Sequence, residues 1–174
     1  MEREKGEPLK LNSWTGVRKM NQFWMLPAKI RDEMLRDGLQ RHPEEACGLL
    51  FGTFDGRQGT IQRYLSVANH SKTPLHAFEL DPAVWVRSCF DPQLIGLYHT
   101  HPSSPPLPSP EDLRQLPIFA AQIRLYLIGG RVSFANDKPP GRPDGFRIQA
   151  YRIDSNVTGY TLLPVQLQEN QNGE

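Results

Sequence analysis

Cysteine is scarce in this chain: Cys47 and Cys89 are its only two among 174 residues. They lie far apart and form no Cys-x-x-Cys pair, which removes zinc-finger and thioredoxin-type chemistry. The His-x-Glu and Pro-Cys-x-x-Cys combination of the zinc deaminases is missing too. Both thiols therefore read as small buried hydrophobes. No run approaches the ~18 consecutive apolar residues of a membrane span. The opening Met1-Glu2-Arg3-Glu4-Lys5-Gly6-Glu7-Pro8 has no apolar core of the kind a secretory leader carries. A cytoplasmic, reducing location is the expectation. Formal net charge is only +1, so no global field favours nucleic acid, anionic lipid or an acidic substrate. Neither a nucleic-acid nor a membrane partner is expected.

Hydrophobic content of 38% is enough for one domain with a real core. We assign it to residues 21–166, with 1–20 as a flexible, charged tail and 167–174 as a frayed end. Phe23-Trp24-Met25-Leu26 reads as a short strand, and Pro27 opens a helix at its first position. Ile30, Met34 and Leu39 give that helix an apolar stripe, and His42-Pro43 ends it. Cys47 to Gly52 is a buried strand, Asp55-Gly56 a turn, and Thr60 to Val67 a second strand. Asp81-Pro82 caps and opens a helix from Ala83 to Cys89. Leu113 and Leu116 face the core from a later helix that Pro117 interrupts. Ile123 to Ile128 is a strand, Gly129-Gly130 a turn, and Arg131 to Ala135 the partner strand. Phe146 to Ile153 and Tyr160 to Val165 are late strands, with fraying expected from Gln166 onward.

The chemistry concentrates between His99 and Asp112. Leu94 to His101 reads as a strand, so His99 and His101 share a face, their Cα atoms ~6–7 Å apart. Imidazoles so placed can converge on one ion at the ~2.0–2.1 Å of zinc–nitrogen bonds. Asp112 can add an oxygen, and three protein ligands with one open position make a catalytic rather than a structural zinc. A second reading fits the same residues: Ser109 as N-cap, Pro110 at the first helical position, and Asp112 as a helix-dipole acid. The two are compatible, because a capped helix start is a rigid way to present Asp112. His70 and His76 belong to no such pattern and read as surface residues. Glu44 and Glu45, taken alone, read as a solvated loop.

His99-Thr100-His101-Pro102, six residues, Ser109, two residues and Asp112 together resemble the signature of the JAMM (MPN-plus) zinc metalloproteases, with the bacterial branch the nearer likeness. Asn69, Phe78 and Asp81-Pro82 are similar to the pattern of its bacterial members. The likeness covers Pro27 to Ala135 closely and the late strands loosely. It implies an α/β single domain, a mixed central sheet flanked by helices in the cytidine-deaminase-like manner. It implies zinc held by His99, His101 and Asp112. Glu45-Ala46-Cys47-Gly48-Leu49-Leu50 matches the family's glutamate ahead of a Gly-Leu-Leu-like strand, which makes Glu45 the general base. Ser109 would hydrogen-bond the developing oxyanion. The implied partner is a ubiquitin-like or sulfur-carrier protein, cut after its Gly-Gly tail. Two other functions stay open. One is a non-catalytic binding module of the same fold, though such modules usually lose the zinc ligands that this chain keeps. The other is a metallopeptidase acting on a different amide, such as a cell-wall peptide.

Overall fold

The computed structural model describes residues 22–132 and 145–170. The expected tail and the expected strand residues 133–135 lie outside them. Strand β1 (Phe23–Pro27) buries Trp24 and Leu26 on alternate positions. Pro27 is still extended and acts as N-cap of α1 (Ala28–Arg41), so the helix begins one residue later than expected. Ile30 and Met34 bury from that helix, while Leu39 is 70% exposed. Five residues at 3.6 per turn carry Leu39 about 140° from Met34, off the apolar stripe.

β2 (Cys47–Phe54) and β3 (Gln58–Val67) form an antiparallel hairpin. Its turn is closed by Asp55, whose Oδ1 accepts from the backbone of Arg57 and Gln58, and by Gly56 at φ +100. α2 (Pro82–Ser88) starts on Asp81, which accepts from Val84 N at 2.9 Å. β4 (Leu94–His101) is buried along its whole length. α3 (Pro110–Phe119) leads to β5 (Leu125–Arg131), then β6 (Phe146–Asn156) and β7 (Gly159–Asn170).

Pairing runs β1-β3-β2-β4-β5-β6-β7 and then returns to β1, so the sheet is a closed, barrel-like ladder. β1/β3, β1/β7 and β4/β5 are parallel and the other pairs antiparallel. The mixed α/β class holds, but the central sheet expected to be flanked by helices is closed on itself. Closure is made by the stretch expected to fray: Gln166 to Asn170 pair with Phe23 to Pro27. Val165 and Leu167 pack on the core, and Glu169 binds Arg31 at 3.2 Å. The polar residues there are the outward half of a continuing period-two pattern.

The same alternation splits the core. Leu49, Leu97, Tyr126 and Ile128 pack on one face with Leu116 and Phe119 of α3. Leu50, Tyr98, Leu125 and Leu127 pack on the other with Ile30 and Met34 of α1. Strands buried on both faces read as unbroken apolar runs.

Two expectations on this framework fail for local reasons. Gly129-Gly130 does not turn the chain but lies inside β5, between β4 and β6. A Cβ at Gly130 would stand 2.6 Å from Pro106 N and from Ser104 O. Gly130 admits a neighbouring backbone, and Gly129 the side chains of Phe146 and Tyr98, rather than bend their own chain. The partner of β5 is accordingly β6, and Arg131 belongs to β5 itself. In α3 the helix runs through Pro117 to Phe119. The carbonyl that Pro117 leaves unpaired belongs to Leu113, which is exposed rather than in the core, so water can serve it.

Candidate functional site

The register of β4 sends Leu97, His99 and His101 to the face that carries α3, and Tyr98 to the other. His99 and His101 end the strand and are both buried. Between them Thr100 pairs with Ala46: its N–H donates to Ala46 O and its Oγ1 accepts from Ala46 N, each at 2.9 Å. That exchange brings Glu45, one residue before Ala46, alongside the two histidines.

Asp112 reaches the same place from the first turn of α3. Ser109 and Asp112 form a reciprocal capping box. Asp112 N donates to Ser109 Oγ at 3.1 Å, and Asp112 Oδ2 accepts from Ser109 N and Ser109 Oγ, both at 2.7 Å. The helix cap anticipated from sequence is therefore what holds the Asp112 carboxylate toward the two histidines.

His99 Nε2 lies 3.0 Å from His101 Nε2 and 3.0 Å from Asp112 Oδ1, and His101 Nε2 lies 3.4 Å from Asp112 Oδ2. Tetrahedral bonds of ~2.0–2.1 Å put neighbouring ligand atoms ~3.3 Å apart, so the donor set has the size that zinc needs. Its chemistry fits as well, with two imidazole nitrogens and one carboxylate meeting in a buried spot. Among the described residues, this is the one group of three or more that could hold an ion. His70 is half-exposed, 3.4 Å from Asp81, and takes no part.

The electrostatics of Asp112 and His99 favour the forms that bind metal, and those of His101 work against it. Burial drives the Asp112 carboxyl upward, but hydrogen bonds from His101, His99 and Ser109 outweigh it and hold the group well below the usual carboxylate range. Burial keeps the His99 imidazole below its ordinary value against the pull of Asp112. Burial also works against protonation of His101, yet Asp112 and the Pro105 carbonyl more than offset it. An ionised carboxylate and neutral imidazoles are the forms that bind metal.

Glu45 is 6% exposed. Burial pushes its carboxyl up to about 7, with the charge of His101 pulling it down and that of Asp112 adding to the rise. Asn69 fixes its backbone, donating from Nδ2 to Glu45 O at 3.0 Å and to Ala77 O at 3.1 Å. Glu45 N donates to Pro74 O at 2.7 Å. Glu44 is exposed, so the two adjacent acids occupy opposite environments.

Three contacts had no signal in the sequence. Tyr126, buried on β5, donates its hydroxyl to Asp112 Oδ1 at 3.2 Å. The carbonyl of Pro105 lies 3.1 Å from His101 Nδ1 and fixes that ring. Tyr151 donates to the next carbonyl, Pro106 O, at 2.7 Å and pins this loop to β6. A fourth residue, Phe78, entered only as part of a family likeness; its ring stacks on His99 with centroids 4.6 Å apart. The other nitrogen of His99, Nδ1, is buried and has no hydrogen-bond partner among the described residues.

Comparison with known proteins agrees with this architecture. A family model described as prokaryotic homologs of the JAB domain matches residues 27–138. A desampylase of Haloferax volcanii is 38% identical over 97 residues, covering 50% of this chain and 68% of the relative. A Thermus thermophilus protein named "Probable TtuB-protein conjugate cleaving protease" is 27% identical over 95 residues, covering 52% of this chain and 61% of that protein. A desampylase of Pyrococcus furiosus is 28% identical over 74 residues, and the match spans 49% of its length. The solution structure of a Desulfitobacterium hafniense protein covers 86% of this chain and 94% of its own, at 26% identity and a TM-score of 0.61.

Proposed function

The chain belongs to the family of prokaryotic JAB-domain homologs and is a hydrolase of the JAMM type; from that premise we propose that it is a zinc-dependent peptidase or isopeptidase. Its substrate in this reading is a ubiquitin-like or sulfur-carrier protein, cut after the C-terminal Gly-Gly. The observation that carries the proposal is the convergence of His99, His101 and Asp112 beside a buried Glu45. His99, His101 and Asp112 would hold zinc, which supplies Lewis acidity toward the scissile carbonyl and lowers the pKa of water.

Glu45 takes the proton of the attacking water and returns it to the departing amine. A carboxyl pushed up to about 7 is matched to both halves of that task near neutral pH. Ser109 donates its hydroxyl to the oxyanion as charge develops there. In the resting arrangement that hydroxyl is on Asp112 Oδ2, which keeps the Ser109 N–H when the hydroxyl turns away. The substrate class follows the relatives, two named as desampylases and one for cleaving protein conjugates of TtuB. A slim Gly-Gly segment suits a site enclosed by buried side chains. None of the described helices is long and apolar enough to cross a membrane.

The test is a cleavage assay on carrier proteins extended beyond Gly-Gly, with products read by mass spectrometry and zinc measured per chain. Wild type should carry one zinc and release a carrier ending in Gly-Gly. The His99→Ala/His101→Ala variant should carry none. Equal turnover when Gly-Gly is replaced by Leu-Leu would reject the substrate assignment. Binding without turnover by zinc-loaded protein would replace the enzyme by a docking module.

A further inference from the structure

The hydrogen bonds on Asp112 are unevenly shared between its two oxygens. An ionised carboxylate offers about four lone-pair positions, two on each oxygen. In the resting arrangement Oδ2 accepts the N–H and the hydroxyl of Ser109, both at 2.7 Å, so its two positions are taken, and His101 Nε2 stands farther off at 3.4 Å. Oδ1 accepts the Tyr126 hydroxyl at 3.2 Å and lies 3.0 Å from His99 Nε2. One position therefore stays open, and it belongs to the oxygen beside His99. From this count we infer that Asp112 binds the zinc of the proposed site through Oδ1 alone, and that Tyr126 is the positioning residue for that oxygen. The inference rests on the zinc reading given above.

Tyr126 is built for the task. It lies on β5 opposite Leu97 in the parallel ladder, so its ring is fixed by the same pairing that places His99. The two rings meet edge to face at 5.4 Å. The phenol is fully buried, and a buried phenol hydroxyl needs an acceptor. Ser109 holds Asp112 from the helix side and Tyr126 holds it from the sheet side. Removing the hydroxyl takes away the hydrogen bond that Tyr126 gives Oδ1, so the carboxylate is freer to turn about its Ser109 anchor.

Tyr126→Phe removes the hydroxyl and keeps the ring. Zinc affinity, measured by competition with a chromophoric chelator, should fall about 10–100-fold, the usual loss for a group that orients a metal ligand. The absorption spectrum of the cobalt-substituted protein should shift, and the rise in Tm on adding zinc should shrink. Lower melting in chelator with wild-type affinity and spectrum would reduce Tyr126 to packing and overturn the inference. Should Tyr126→Phe fail to fold, 3-fluorotyrosine at position 126 keeps ring and hydroxyl and changes the strength of the bond. The cobalt spectrum should then move, and an unchanged one overturns the proposal. A wild type that takes up no zinc overturns the zinc reading and this inference with it. Equal affinity in wild type and Tyr126→Phe overturns this inference alone.

Discussion

Replacing Glu45 by glutamine keeps the side chain's shape and removes its basicity. Turnover should fall by ~10²–10⁴-fold, the usual worth of a positioned acid–base group, with zinc content unchanged. Glu44→Gln, on an exposed neighbour, should change little. The same variant probes stability. Burial raises Glu45 from 4.5 to about 7, so between those values the folded protein holds a proton that the unfolded chain releases. Metal-free protein therefore loses stability as pH rises from about 4.5 through about 7. Glu45→Gln has no such loss, and above pH 7 it should be more stable than wild type by up to about 3 kcal/mol. Near pH 4 the two should nearly coincide. Thermal melts in chelator across this range decide it, and a gap independent of pH would show that charge is not the cause. At this scale the motif was readable because His99 and His101 share a strand face and Ser109 and Asp112 share a helix start, both fixed by short spacing. Tyr126 and Tyr151 were not, since they reach the site from other segments at no set interval, and Pro105 acts through a backbone carbonyl that no side-chain pattern marks.

Gly130 shows how an element can be misread and yet matter to the site. Its missing side chain lets Ser104 to Pro106 lie against β5, where Arg131 N donates to Ser104 O at 2.9 Å. A methyl there must push on backbone, which cannot fold away as a flexible side chain would. Gly130→Ala should therefore displace the Pro105 carbonyl from His101 Nδ1, weakening zinc binding at least ~10-fold and costing about 1–3 kcal/mol of stability. Gly56→Ala is the control: none of the described residues lies within 4 Å of its Cβ, but its φ of +100 strains an alanine. It should cost stability, of order 1 kcal/mol, without touching zinc affinity. Titration calorimetry and melting separate the two. Helices and strands were largely legible from apolar spacing and caps, as at Asp81 and Ser109. The misjudged glycine pair failed because a double glycine signals a turn unless a distant loop happens to need the space.

Across the whole molecule, zinc and folding should be linked. An ion held only by the folded chain stabilises it by about 2.7 kcal/mol at a hundred times its dissociation constant. Tm should climb with free zinc in wild type and stay flat in His99→Ala/His101→Ala. The reach of the fold beyond the motif was the least legible part. Period-two strands name their own faces, but nothing local in Gln166 to Asn170 says that β1 is the partner. That pairing carries a consequence for how the chain matures. During synthesis β1 emerges first and finds β3 through the three pairs from Phe23 to Met25. Its other flank waits until β7 has left the ribosome, because the five pairs from Phe23 to Pro27 join the two ends of the described chain. Such contacts are slow to form, since a long loop must close before they repay its entropy. The seam between β1 and β7 is therefore the last strand pairing of the barrel to become possible, and a nascent chain stalled before Gln166 would leave one side of β1 open to other strands.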